Sequence, residues 1–272
     1  MIDKISNPKL EKEEPHDRNS IIELNKVLDG KNRKLSSLNA ELQTFNNIVA
    51  NHFKETLKKL YTSIEFILTT DARKLSDSGK ANLRRSQAAI QKMKLLTDDI
   101  IAYANIKSIE ELEYVHLEKI IPVLKESLHN AGYAGNIEIK FDCAPPIKAF
   151  PSLINLLFYN ILENGLKFND NENSLVTISC KEISGAEILH PYSIKSQLYN
   201  VIIIEDNGKG FVMEESENIF NMFYKIAQTG KFKGSGLGLT ICKKIMELHQ
   251  GFIRAESIPG DGSIVYCYFP IV

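Results

Sequence analysis

The sequence lacks the features that mark several large protein classes. No apolar run approaches the ~18 residues that a membrane-spanning helix needs, and the N-terminus has no apolar signal-peptide segment. The net charge is −1 over 272 residues, which does not favour bulk binding to nucleic acid. The four cysteines are widely spaced and favour reduced core residues over disulfides or a metal site: Cys143, Cys180, Cys242 and Cys267. We therefore expect a cytoplasmic protein with no membrane span and no nucleic-acid partner.

The familiar phosphate-binding loops are also missing. There is no G-x-x-x-x-G-K-[ST] segment, and the glycine-rich segment GSGLGL does not directly follow a strand pattern, as a Rossmann fingerprint would. The composition, with 43% apolar and 25% charged residues, is that of a globular protein with room for two domains.

One stretch, residues 155–170 with the sequence NLLFYNILENGLKFND, combines two patterns. Its apolar residues recur at helical spacing, whereas Asn160, Asn164 and Lys167 recur on a single face. Amide oxygens suit Mg²⁺, and a lysine can meet phosphate as a point charge. The stretch therefore suggests a nucleotide site, although taken alone it is also compatible with a solvated helix face.

Two glycine-rich segments follow it. Residues 201–211, VIIIEDNGKGF, read as a buried strand that ends at Asp206, whose carboxylate could accept a hydrogen bond from an exocyclic amine. Residues 234–239, GSGLGL, precede the helical pattern LTICKKIMELH and would place free backbone N–H groups at a helix N-terminus. Such a terminus favours phosphate, so both segments strengthen the nucleotide interpretation.

The segments NILENGLKF, DNGKGF, IFNMFYKI and GSGLGLTICKKIMELHQGFIRAES occur in this order and closely resemble the N, G1, F and G2 boxes of sensor histidine kinases. The matching region is roughly 110–272, and QKMKLLTDDIIAYANI resembles the second helix of that family's dimerisation and phosphotransfer domain. The resemblance implies an α+β protein. An N-terminal helical hairpin would form a dimeric four-helix bundle, followed by an α/β sandwich of the histidine-kinase/Hsp90-type ATPase fold. That sandwich would have a mixed sheet on one side, three helices on the other, and ATP under a mobile lid.

The resemblance also implies roles for individual residues. Asn160 and Asn164 would hold Mg²⁺ and the ATP phosphates, Lys167 would reach phosphate, and Asp206 would recognise adenine. The glycines of the base pocket would be Gly208 and Gly210.

The same comparison assigns a set of residues to the lid. They are Phe220, Phe223, Lys225, Gly234, Gly236, Leu237 and Gly238. The phenylalanines would anchor the lid, and the glycines would close it over the phosphates. Lys225 stands where the family often has arginine, which keeps the charge but not the planar fork.

The pattern along the chain divides it into four parts. Residues 1–20 are charged, contain two prolines and are expected to be a flexible arm. Residues 21–45 carry a coiled-coil seam, 46–108 form the predicted helical hairpin, and 109–272 form the ATP-binding domain. A hinge is expected at 103–109. Such a bundle implies a homodimer, and the family implies a response-regulator receiver domain as partner.

The predicted phosphoacceptor segment departs from the family pattern. An ungapped alignment of FNNIVANHFKETLKKL places Asn51 at the acceptor position and His52 at the following acidic position. An asparagine amide is not a plausible phosphoryl acceptor, because its lone pair is delocalised. His52 could serve instead if a local bulge absorbed a one-residue shift, with Glu55 as its carboxylate partner. Thr56 replaces the proline that commonly bends this helix.

These observations leave three functions open. The first is a histidine kinase that binds Mg·ATP and transfers the γ-phosphoryl group to a histidine. The second is a pseudokinase or regulatory scaffold that binds ATP and engages a receiver protein or another kinase without autophosphorylation. The third is an ATPase of the same superfamily that works by dimer closure, which the helices before the ATP-binding domain disfavour.

Four other polar residues are given no catalytic role. Asp98 and Asp99 are expected to solvate the outer face of the bundle, and Glu163 could lie near the nucleotide or on the surface. His249, near the end of the last predicted helix, is expected to be structural or solvated.

Overall fold

The computed structural model describes residues 15–106, 111–140, 145–169, 173–226 and 235–271. The helices are α1 (Pro15–Thr70), α2 (Asp77–Asn105), α3 (Leu117–Asn130), α4 (Pro151–Lys167) and α5 (Gly238–Leu248). The strands are β1 (Glu113–Val115), β2 (Asn136–Ile139), β3 (Ile147–Ala149), β4 (Leu175–Ser184), β5 (Leu198–Asp206), β6 (Phe252–Ile258) and β7 (Gly262–Pro270). Short 3₁₀ turns occupy Gly185–Glu187, Met213–Glu215 and Asn218–Phe220. The chain divides into two units, Met1–Val49 and Ala50–Val272.

The first unit consists, in its described part, of the N-terminal half of α1. The helix begins at Pro15, so residues 15–20, which the sequence pattern places in a flexible arm, are helical instead. Proline is tolerated in the first turn of a helix, because the N–H that it lacks would have no partner there. The rest of the predicted arm lies outside the described residues. The apolar seam of this unit is exposed, with Leu24, Leu35 and Leu42 all more than half accessible.

In the second unit, α1 and α2 form an antiparallel hairpin. The Lys54 ammonium lies 2.5 Å from the Asp98 carboxylate, and the Gln91 side chain donates to the Tyr61 hydroxyl at 3.3 Å. The later of the two α1 residues pairs with the earlier of the two α2 residues, so the helices run antiparallel. Residues 71–76 separate the two helices, and Ser76 caps α2 by accepting the Gly79 N–H at 3.1 Å.

A five-stranded mixed sheet forms the centre of the remaining fold, in the order β2-β4-β5-β7-β6. The β2–β4 pair is parallel and the other pairs are antiparallel. Helices α3, α4 and α5 bury their apolar faces against one side of the sheet and contribute most of the main core. The architecture confirms the predicted α+β fold with a mixed sheet on one side and three helices on the other.

The second face of the sheet is also apolar. Tyr199 and Val201 of β5 and Phe252 and Tyr268 from the neighbouring strands form a smaller buried cluster there. The His190 ring stacks on Phe252 with 4.4 Å between ring centroids, so the 184–197 connection covers part of this face. Because both faces are covered, residues 201–204 of β5 form an uninterrupted apolar run, as a strand segment buried on both faces requires.

The last turn of α2 is attached to this domain. Ile106 is 4% exposed and belongs to the main core, and Tyr103 is partly buried against it. The Lys244 ammonium of α5 donates to the Tyr103 carbonyl at 2.8 Å and lies 4.1 Å from the centroid of its ring. These contacts attach Tyr103, the first residue of the predicted hinge at 103–109, to α5. Residues 107–110 lie outside the described ranges.

None of the helices in the described ranges has the length and hydropathy needed to cross a membrane. Cys242 and Cys267 are buried as free thiols, in agreement with the prediction of reduced core cysteines, and Cys180 is partly buried. Burial raises the pKa of both buried thiols, which keeps them protonated. Cys143 lies outside the described residues.

Candidate functional site

A cavity of about 410 Å³ lies on the polar face of α4. It is bounded by the ends of β5 and β7, the segment that leads to α5, and the last turns of α2. Its polar lining comprises Asp99, Tyr133, Asn160, Glu163, Asn164, Lys167, Asp206, Lys209, Tyr224, Lys225, Ser235 and Ser263. Most residues that the sequence assigned to a nucleotide site are therefore brought together in one cavity.

Helix α4 presents its asparagine face to this cavity. Asn160, Asn164 and Lys167 are half-buried and recur at the three- and four-residue spacing that aligns side chains on one helix face. The Asn160 amide nitrogen donates to the Leu156 carbonyl at 2.8 Å. Because the nitrogen is used in this way, the amide oxygen is left to face the start of α5. This face can offer amide oxygens to a hard cation and an ammonium to a phosphate.

Asp206 occupies the end of β5 beside the cavity. Its carboxylate accepts the Gly208 N–H at 2.8 Å and the hydroxyl of Ser263. Burial raises the pKa of Asp206, and the hydrogen bonds from Ser263 and Gly208 oppose that shift by favouring the charged form. The carboxylate is thus held in one orientation, in a setting where a polar partner would relieve its desolvation.

Ser263 and Gly165 are site residues to which the sequence analysis gave no role. Ser263 is the cross-strand partner of Asp206 in the β5–β7 register, which becomes visible only when the strands are paired. A Cβ on Gly165 would meet the Val176 side chain at 3.0 Å and the Asp206 Cβ at 3.3 Å. The sequence signal for Gly165 was its position between Asn164 and Leu166, in the helix that carries the asparagine face.

The loop after β5 requires glycine at Gly210. Its φ of +60° is in the left-handed region, and a Cβ there would lie 2.1 Å from the Ile258 carbonyl oxygen. The Lys209 N–H of this loop donates to the Phe168 carbonyl at 3.1 Å, which ties the loop to the end of α4. The predicted base-pocket glycines, Gly208 and Gly210, therefore lie where the loop, α4 and β6 meet.

The predicted lid residues fall in different environments. Phe220 is 6% exposed and belongs to the core, whereas the Phe223 side chain is 52% exposed. Phe223 has a φ of 61°, and its N–H donates to the Gly236 carbonyl at 3.1 Å, so it contacts the segment before α5 through its backbone. Burial, with Lys92 and Lys167 nearby, lowers the pKa of Lys225. Gly234 lies outside the described residues.

The N-terminus of α5 meets the asparagine face directly. Leu237 is buried, and its N–H donates to the Ser235 hydroxyl oxygen at 3.0 Å. A Cβ on Gly238 would lie 2.9 Å from the Asn160 Oδ1 and 3.9 Å from the Asn164 Nδ2. The first turn of α5 therefore lies against the two asparagines because Gly238 has no side chain. A helix N-terminus beside an amide oxygen, in a cavity that Lys167 also lines, is an environment that favours a metal-bound phosphate.

Two carboxylates also line the cavity. Glu163 accepts the Tyr133 hydroxyl at 2.5 Å, so it is a cavity residue rather than a surface residue. The prediction for Asp99 is wrong, because its carboxylate lines the cavity and is hydrogen-bonded to Ser235. Asp98, by contrast, pairs with Lys54 on the bundle.

The predicted phosphoacceptor segment lies on α1. Asn51 and His52 are both exposed, and every residue around them is α-helical, with no bulge at this point of the described helix. The Thr56 hydroxyl donates to the His52 carbonyl at 2.9 Å. Glu55 pairs with Lys59 at 2.7 Å rather than with His52, and Lys59 lowers the pKa of Glu55. The assignment of Asn51 to the acceptor position stays a prediction.

Among the described residues, no group of three or more histidine, cysteine, aspartate and glutamate side chains could hold a metal ion. His249 is buried at the end of α5, where its Nε2 accepts the Phe150 N–H at 3.0 Å and its Nδ1 donates to the Ile245 carbonyl at 2.7 Å. It joins the end of α5 to the start of α4, which is the structural role expected for it.

Comparison with known proteins gives a consistent result. Residues 151–272 match the family model described as histidine kinase-, DNA gyrase B-, and HSP90-like ATPase. Phytochrome-like protein Cph1 of Synechocystis sp. is 27% identical over 240 residues, which are 88% of this chain and 30% of that protein. Sensor protein kinase WalK of Staphylococcus haemolyticus is 32% identical over 125 residues, or 44% of this chain and 18% of that protein. The resemblance to sensor histidine kinases is thereby confirmed.

The solved structure of full-length ShkA in complex with AMPPNP shares the fold, with a TM-score of 0.57 at 19% identity. The similarity covers 83% of this chain and 45% of that one. The chain spans about a third of the length of the phytochrome-like relatives that it matches.

Proposed function

We propose that this chain, whose residues 151–272 belong to the family of histidine kinase-, DNA gyrase B- and HSP90-like ATPases, binds Mg·ATP in the cavity on α4 and transfers its γ-phosphoryl group to a histidine. An aspartate in a response-regulator receiver domain would then accept the group. The observation that carries the proposal is the meeting of the asparagine face of α4, Asp206 and the N-terminus of α5 in one cavity of about 410 Å³.

Each part of the cavity has a role in this proposal. Asp206 accepts a hydrogen bond from the exocyclic amine of adenine, and the Ser263 hydroxyl orients its carboxylate. Lys167 and Lys225 attract the phosphates, and the first turn of α5 offers free backbone N–H groups to them. Catalysis rests on holding the γ-phosphoryl group in line with its acceptor and on neutralising its charge.

The residues present fit a magnesium ion. The Asn160 amide nitrogen is engaged by the Leu156 carbonyl, so the free amide oxygen faces the cavity, as a hard cation requires. Asn160 and Asn164 would hold the ion together with phosphate oxygens, as Mg²⁺ in nucleotide sites commonly uses few protein ligands. When bound, the ion neutralises phosphate charge. The first turn of α5, from which a Cβ on Gly238 would lie 2.9 Å from the Asn160 Oδ1, would limit the movement of this oxygen.

The helical hairpin is suited to form a homodimer. Leu57 is 4% exposed, within the hairpin, but Phe53 and Leu60 of α1 and Met93 of α2 are about half exposed. Phe53 and Leu60 are seven residues apart, and so lie on one stripe of the helix. Pairing two hairpins through this stripe would bury it in a four-helix bundle. We place the dimer in the cytoplasm.

The identity of the residue at the acceptor position favours a second function. The ungapped alignment assigns Asn51, which lies within a continuous helix, to the family's acceptor position, and Glu55, the carboxylate expected to assist His52, pairs with Lys59 instead. The same cavity could thus serve a pseudokinase, which binds ATP and engages a receiver protein or another kinase without phosphorylating itself.

Incorporation of label from γ-labelled Mg·ATP, followed by site mapping, separates the two. An active kinase gives acid-labile label that disappears in His52→Asn, whereas a pseudokinase gives none although it binds ATP. In the second case, Asn51→His should introduce labelling if the rest of the machinery is intact. Absence of ATP binding by the wild-type chain would refute both functions, and Asn164→Ala provides the control for binding in the cavity.

A further inference from the structure

The last turns of the bundle helix α2 reach the nucleotide cavity. Leu95, Asp99 and Tyr103 recur every four residues and so share one helix face. Leu95 and Asp99 line the cavity, and Tyr103 is held by Lys244 of α5 through a 2.8 Å hydrogen bond and a ring contact. The middle of α5 therefore contacts α2, and the start of α5 lies against the asparagine face of α4.

Asp99 places a carboxylate where phosphate recognition is concentrated. It is hydrogen-bonded to Ser235, three residues before Gly238, and interacts electrostatically with Lys167. Burial raises the pKa of Asp99, with smaller contributions from Glu163 and Asp98, whereas Ser235 and Lys167 oppose the shift. The Asp99 carboxyl group therefore lies at the cavity wall, hydrogen-bonded to Ser235 and near the Lys167 ammonium that would meet a phosphate.

We propose that Asp99 competes with the triphosphate for Lys167 and Ser235, so that docking of α2 on the ATP-binding domain and binding of ATP oppose each other. The proposal rests on the proposed function and deepens it, because it names a regulator of the same cavity. The phosphates of ATP would repel the Asp99 carboxylate and weaken the hydrogen bond between Ser235 and Asp99 of α2. By reciprocity, any event on the bundle that pulls α2 away would strengthen ATP binding. The bundle would thereby control access to the nucleotide.

The test is nucleotide affinity in Asp99→Asn, which retains the size and hydrogen-bonding capacity of the side chain but removes its charge. We expect this variant to bind Mg·ATP at least about fivefold more tightly than the wild type, the lower end of typical coupling strengths. The gain should be smaller for ADP and absent for adenosine, because repulsion scales with phosphate charge. The matched control is Asp98→Asn, which removes the neighbouring carboxylate paired with Lys54 and should leave ATP affinity unchanged within about twofold.

Equal ATP affinity in the wild type and Asp99→Asn would overturn the inference. Weaker binding by the variant would also overturn it, and would make Asp99 a ligand of the Mg·ATP complex. If the wild type itself binds no Mg·ATP, the proposed function fails and the inference fails with it.

A second measurement needs no substitution. In the wild type, saturating ATP should increase amide hydrogen exchange in residues 95–106, and adenosine should not. Protection of these residues by ATP, or no change, would show that nucleotide binding and α2 docking do not compete.

Discussion

Replacing Gly238 with alanine should change nucleotide binding much more than protein stability. It opens α5 in helical conformation, and the Cβ of an alanine there would lie 2.9 Å from the Asn160 Oδ1. Ordinary contacts of this kind begin at 3.4 Å, so the amide must move by about 0.5 Å. The movement acts against the 2.8 Å hydrogen bond from Asn160 to Leu156, a bond worth about 1 kcal/mol.

The two consequences of Gly238→Ala have different sizes. Alanine favours the helix by up to about 1 kcal/mol over glycine, which offsets the strain at Asn160, so the free energy of unfolding should change by less than about 1 kcal/mol. The displaced amide oxygen, however, is the proposed metal ligand, and disturbing the support of a ligand typically lowers metal affinity at least about tenfold. We therefore expect Mg·ATP affinity to fall at least about tenfold while the protein stays folded.

Calorimetric titration with Mg·ATP and urea unfolding measure the two quantities on the same preparation. Gly30→Ala is the matched control, because no atom lies within 4 Å of its Cβ position on α1. It should leave ATP affinity unchanged. Wild-type ATP affinity in folded Gly238→Ala would refute the proposed role of the contact between Gly238 and Asn160.

Three further predictions concern buried groups, and a fourth concerns an exposed one. Asp206→Asn removes a buried charge, so its free energy of unfolding at pH 7 should equal or exceed that of the wild type, while its ADP affinity, measured by titration, falls at least about tenfold. For His249, burial lowers the pKa, so the unfolded chain takes up a proton more readily than the folded one. The free energy of unfolding should therefore fall as the pH drops below its ordinary pKa of 6.5, and fall less in His249→Gln, as urea titrations at several pH values would show. Leu57→Ala should lower the free energy of unfolding by about 2–4 kcal/mol, because the side chain is 4% exposed. Leu60→Ala, at a position 49% exposed, should instead weaken the proposed dimer in sedimentation measurements.

The elements of the C-terminal α/β domain could be predicted because their signals are local. The strand β5 follows from an apolar run, and the β6–β7 hairpin follows from the turn Pro259-Gly260-Asp261-Gly262 between two apolar stretches. The site residues on α4 and at Asp206 could be predicted because each lies in a short motif.

Residues whose role depends on tertiary placement were missed. The pattern of α2 indicates that Asp99 is on a polar face, but not that α5 and the cavity lie against that face. Ser263 acquires its role from the register between β5 and β7, which no motif in its own strand signals. Pro15 was interpreted as part of a flexible arm, since a proline and a charged run carry no apolar period, yet α1 begins there.

The burial of β5 on both faces has a consequence for how the sheet finds its pairing. In a strand with one polar face, a slip of one residue would bury polar groups, and this cost rejects the slip. In β5, residues 201–204 are apolar throughout and buried or half-buried, so hydrophobicity alone would not distinguish the two pairings. The hydrogen bond between the side chains of Ser263 and Asp206 forms only in the observed one. The Asp206 carboxylate, which is proposed to recognise the base, thus also favours the observed pairing register between β5 and β7.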